Sequence, residues 1–86
     1  MAEVQLTPEA AEQFDRLPAA IKSRVRDIIT RLADWPHVSG AKPLRHELKG
    51  AYRIRTGDYR IVFVIDRPGL VVIIRIDNRR DVYRRR

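Results

Sequence analysis

The sequence contains no cysteine. This excludes a disulfide framework and any thiolate-bound zinc, and it suits a reducing cytoplasm. Histidine is scarce too: His37 and His46 are the whole complement. No set of His, Asp and Glu falls at ligand spacing, so neither a metal nor another cofactor is expected. A glycine-rich phosphate loop and a nucleophile elbow are both missing. The longest apolar runs, Ile61–Ile65 and Leu70–Ile74, fall far short of the ~20 residues that a membrane-spanning helix needs. The N-terminus lacks the basic start and apolar core of a secretory leader. The expectation is a cytoplasmic chain with no membrane partner.

What the chain has is positive charge, unevenly placed. Its 86 residues carry a net charge of +7. Residues 1–43 balance six Lys/Arg against six acids, whereas residues 44–86 set twelve against five. Excess charge confined to one half points to a polyanionic partner, nucleic acid or an acidic protein, rather than to an even solubilising coat. The length predicts a single domain spanning 1–86. A domain of this size buries only a little over ~60% of its unfolded surface, which favours a surface groove over a deep pocket.

Hydrophobic spacing divides the chain into a helical part and a strand part. Val4-Gln5-Leu6 alternates as a short edge strand. Thr7-Pro8 reads as an N-cap followed by a first helical residue, with Glu9 and Glu12 where the helix dipole favours acids. Ala10, Phe14 and Leu17 make an apolar stripe, and Pro18 separates this helix from the next. Ile21, Val25, Ile28, Ile29 and Leu32 line one face of a second helix, closed by Trp35-Pro36. Residues 37–43 read as a loop. Three strands follow: Ala51–Thr56, Tyr59–Ile65 and Leu70–Ile76, joined by turns at Gly57-Asp58 and at Asp66–Gly69. The expected fold is α+β, an N-terminal αα-hairpin packed on a small antiparallel sheet in the order β-α-α-β-β-β, with a short C-terminal segment.

Alternation puts Arg53 and Arg55 on one side of their strand and Tyr52 and Ile54 on the other. Arg60 lies just across the Gly57-Asp58 turn. Arg79 and Arg80 follow the third strand, and Tyr83 comes shortly after. Guanidiniums gathered on one face repel each other unless an anion is expected there, and phosphate is the anion their fork fits best. A ring among arginines adds a stacking platform for a base. Arg75 reads as a structural residue paired with a neighbouring acid. His46, Glu47 and Asp77 are the other groups near the sheet with acid–base chemistry.

The blocks LKGAYRIRTGDYR (Leu48–Arg60) and RRDVY (Arg79–Tyr83) resemble the RelE/ParE superfamily of toxins from type II toxin–antitoxin pairs, nearer its RelE-like branch. The resemblance covers nearly the whole chain. It implies a compact RelE-like toxin domain acting as a ribosome-dependent mRNA endoribonuclease that inhibits translation, without metal, by attack of a ribose 2′-OH on the adjacent phosphate. It carries catalytic positions onto Arg53, Arg55, Arg60, Arg79 and Tyr83, with Arg45, Lys49 and Arg80 as further RNA-phosphate contacts. Some members have lysines where this chain has Arg53 and Arg55, and many have a histidine where it has Asn78. The partners implied are the ribosome, mRNA and a cognate acidic, RelB-like antitoxin bound as a hetero-oligomer, its helix in a groove between hairpin and sheet. The alternatives left open are a ParE-like inhibitor of DNA gyrase and a catalytically weak RNA-binding homologue.

Overall fold

The computed structural model describes residues 1–78, the side chain of Glu47 excepted. Strand β1 (Glu3–Leu6) leads into helices α1 (Pro8–Asp15) and α2 (Ala19–Leu32). A two-residue strand β2 (Lys42–Pro43) follows, then a 3-10 turn at His46–Leu48. Strands β3 (Ala51–Thr56), β4 (Tyr59–Arg67) and β5 (Leu70–Asn78) complete the described chain. They form one five-stranded sheet in the order β1-β5-β4-β3-β2.

The helices form where the sequence places them. Thr7 caps α1, its Oγ1 accepting from the Ala10 N–H at 3.1 Å. Pro8 takes the first helical position, where its missing N–H costs nothing. The stripe of α2 turns inward: Val25, Ile28 and Leu32 are buried and Ile21 and Ile29 partly so. Both helices cover one face of the sheet, where they meet Ile54, Ile61, Phe63, Val71, Ile73 and Ile76. Beyond α2, the Trp35 ring packs edge-on against Tyr52 (4.8 Å) and Phe63 (5.3 Å). These two are cross-strand partners and stack on each other at 5.7 Å. Such contacts add to the area the rings bury, and they fasten the end of the hairpin to the sheet.

Two features differ from the sequence expectation. The sheet is not wholly antiparallel, because β1 pairs parallel to β5; the long connection that a parallel pair requires runs through the helical hairpin and then β2, β3 and β4. The stretch read as a loop also supplies β2, whose Lys42 and Pro43 pair with Arg53 and Tyr52. The Gly57-Asp58 turn matches its residues, whereas Asp66 and Arg67, read as part of the second turn, belong to β4 and leave Pro68-Gly69 as the link to β5. Gly57 (φ 58°) opens the two-residue link between paired Thr56 and Tyr59, as a type II′ turn demands. The space between hairpin and sheet is filled: Ala10, Val25, Leu32, Ile61 and Phe63 are all 0% exposed.

Candidate functional site

The face of the sheet turned away from the hairpin carries the cations. In β3, Arg53 and Arg55 alternate with the buried Ile54, so both point to this side. Arg55 lies directly opposite Arg60 of β4, and Arg60 lies directly opposite Asp77 of β5. One row across three strands therefore reads Arg55–Arg60–Asp77. The adjacent row reads Lys42–Arg53–Val62–Arg75. Directly opposed side chains sit with Cβ atoms roughly 5 Å apart, and like charges so placed are destabilising.

The electrostatics follow from this register. The Arg53 guanidinium is held below the ordinary arginine value, first by burial and then by Arg55 and Arg60. Asp77 answers part of the repulsion. Its Oδ2 accepts from Nη2 of Arg60 at 3.2 Å and lies 3.8 Å from Nε of Arg75. The side chains are 27% exposed for Arg60 and 14% for Asp77, so this pair is well shielded from water, whereas Arg75 at 46% is more open. Val62, in register between Arg53 and Arg75, is only 1% exposed although it faces away from the hairpin. Aliphatic arginine stems cover apolar surface in this way while their heads stay wet.

The fold thus brings together Arg53, Arg55 and Arg60. Arg45 and Lys49 lie toward the other end of β3 from Arg55 and Arg60. Both are exposed and flank the 3-10 turn at His46–Leu48, which joins β3 at its Ala51 end. Arg55 and Arg60 meet at the opposite end of that strand. His46, with φ 61°, belongs to the same remote turn. Arg79, Arg80 and Tyr83 lie outside the described residues, as does the Glu47 side chain. Asp77, one of the acid–base candidates, is paired with Arg60 and lies close to Arg75. Arg75 pairs with an acid as its sequence context suggested, and it also joins the cationic face. Sequence reasoning missed Lys42, because two strand residues before a turn leave no periodicity to read. It also missed the structural part of Gln13, whose Oε1 accepts from the Ile76 N–H at 2.7 Å. This bond ties α1 to the stretch of β5 that carries Arg75 and Asp77, beyond the reach of β1.

Among the described residues there is no group of three or more His, Cys, Asp or Glu able to hold a metal ion. No described helix is long and apolar enough to cross a membrane.

Residues 4–83 match the family described as the ParE toxin of type II toxin–antitoxin systems, parDE. The chain is 36% identical over 83 residues to Toxin RelG of Mycobacterium tuberculosis, a match covering 95% of each chain. It is 42% identical over 64 residues to Toxin RelE of the same organism, covering 73% of this chain and 65% of that protein. Among solved structures, a chain of the RelBE2 toxin–antitoxin complex from Mycobacterium tuberculosis superposes with a TM-score of 0.79 at 35% identity, over 91% of this chain and 98% of that one. A chain of the intact E. coli RelBE complex, at 16% identity, shares the fold with a TM-score of 0.75 over 91% of this chain and 96% of its own.

Proposed function

The chain belongs to the RelE/ParE family of toxins from type II toxin–antitoxin systems, on its RelE-like side, and on that premise we propose that it is a ribosome-dependent endoribonuclease that cuts mRNA and so stops translation. The observation that carries this reading is the placement of Arg55 directly opposite Arg60. A like-charged cross-strand pair weakens the free protein. It becomes favourable when a phosphate sits between the two forks.

In the proposed reaction the ribose 2′-oxygen bonds to phosphorus and the P–O5′ bond breaks. The products are a 2′,3′-cyclic phosphate and a 5′-hydroxyl. The 2′-hydroxyl gives up a proton and the leaving O5′ gains one. Between these events negative charge accumulates on the non-bridging oxygens, and fixed cations stabilise it most where water is excluded. Arg53, Arg55 and Arg60 supply that charge. Arginine stays protonated and is a poor proton carrier, so these three act electrostatically. Arg79 joins them in the proposal on the strength of the resemblance to the family. Tyr83 is proposed to stack on or orient a base, or to assist proton transfer. Arg45, Lys49 and Arg80 are proposed to contact RNA phosphates away from the scissile one.

The proposed partner is an acidic, RelB-like antitoxin, forming a hetero-oligomer in the cytoplasm. The solved relatives that support this are themselves toxin–antitoxin complexes. Its helix is proposed to lie in a groove between hairpin and sheet and so to cover or distort the arginine face.

The test is cleavage of mRNA on programmed ribosomes by the wild-type protein, Arg60→Ala and Arg79→Ala. Loss of one electrostatic contact to a developing oxyanion lowers turnover by ~10²–10³-fold. Unchanged cleavage by both variants overturns the mechanism. A second reading is inhibition of DNA gyrase, favoured by the ParE description of the matching family. Blocked supercoiling with translation untouched would establish it in place of the first.

A further inference from the structure

The carboxylate amid the arginines has a specific geometry. Asp77 completes the row Arg55–Arg60–Asp77, is largely shielded, and presents one oxygen to two guanidiniums. A solvated surface acid would be neither shielded nor shared. An acid placed at random beside a phosphate site would simply repel the substrate. Here it engages Nη2 of Arg60, one of the five N–H donors that a guanidinium carries. Arg60 can therefore be held by one corner while it offers others to a phosphate. The residues around Asp77 are themselves fixed: Ile76 is pinned by Gln13 and Ile61 is fully buried beside Arg60.

We infer that Asp77 is a positioning residue. It fixes the Arg60 fork before RNA arrives and gathers Arg75 into the same face, trading some ground-state affinity for a correctly aimed charge in the transition state. The inference rests on the nuclease reading and deepens it. The physical logic has two parts of opposite sign. A negative charge next to the phosphate weakens RNA binding. A pre-oriented guanidinium speeds the chemical step, because small misplacements of a catalytic charge are costly.

The two signs make the test selective. Turnover and KM are measured on mRNA-programmed ribosomes, and affinity is measured by anisotropy of a fluorescein-labelled single-stranded RNA. Asp77→Asn removes the charge at nearly constant shape. It is expected to tighten RNA binding by about 3–10-fold while turnover falls by about 10–100-fold. Asp77→Glu, which keeps the charge, stays nearer wild type in turnover than Asp77→Asn does. A variant that lost binding and turnover together would mark a merely structural residue and overturn the inference, as would one unchanged in both. If the wild-type protein neither binds nor cleaves RNA, the nuclease reading falls and takes this inference with it. An active wild type with an indifferent Asp77→Asn removes the inference alone.

Discussion

Arg53 shows what the site costs the free protein. Burial and then the neighbouring Arg55 and Arg60 depress its pKa below the ordinary arginine value. A base whose folded-state pKa is lowered binds its proton less tightly when native than when unfolded. Its charge therefore opposes folding at every pH below the folded pKa, and the penalty lifts only as pH rises through that value into strongly alkaline solution. At neutral pH the penalty stands unless an anion relieves it. Replacing Arg53 with glutamine should consequently stabilise the isolated protein. Relief of an exposed like-charge contact gives a few tenths of a kcal/mol, or a rise of about 2 °C in melting temperature for a domain of this length. The same variant should bind single-stranded RNA more weakly. Thermal melting at low salt and an RNA titration check the two halves; a drop in melting temperature would show that Arg53 is there for packing.

At the scale of elements, the sheet depends on a helix for one of its own hydrogen bonds. β1 pairs with β5 only as far as Ile73, so the outer edge of β5 beyond that point lacks a strand neighbour among the described residues. Gln13 of α1 supplies the partner for Ile76 instead. Removing it strands a partly buried N–H, which costs about 1–3 kcal/mol. Gln13→Ala should destabilise by that amount in a denaturant titration. Gln13→Glu, which retains an acceptor oxygen, should fold nearly as well as wild type. A neutral Gln13→Ala would mean that water serves Ile76 equally.

The same elements show why some of the structure was readable in advance. The α2 stripe, the three long strands and the Gly57 turn each follow from local rules: period 3.6, period 2, and a positive φ that glycine tolerates. Arg53, Arg55 and Arg60 were legible as a set because one tight turn leaves little choice of register. Gln13 looked like any polar residue on the outside of an amphipathic helix, since its partner is 63 positions away and only tertiary structure brings them together. The parallel pairing of β1 was hidden for the same reason, and Lys42 because a two-residue strand leaves no periodicity to read. Asp77 could be seen as an acid beside the site, but its engagement by Arg60 and Arg75 depends on the register between β4 and β5, which no local pattern reports.

Across the whole molecule, charge and layer coincide. The neutral first half of the sequence forms the hairpin that closes the core, while the half carrying the +7 excess contributes the long strands and their cationic face. On the proposed function, this arrangement separates stability, located between hairpin and sheet, from recognition on the other side. It also makes recognition measurable by salt. For single strands, each neutralised phosphate contributes a slope of about −0.7 to a plot of log K against log salt concentration. If Arg53, Arg55, Arg60 and one or two further cations hold the backbone, the slope should lie near −3. Arg53→Gln should make it shallower by about 0.7, whereas Arg31→Gln, on α2 and hydrogen-bonded to the Ser39 carbonyl, should leave it unchanged. Equal slopes for all three proteins would mean that RNA is held by diffuse charge rather than by this face. A slope near zero would mean that the basic surface does not grip phosphates, and that its true counterpart is a protein whose contacts are mostly apolar.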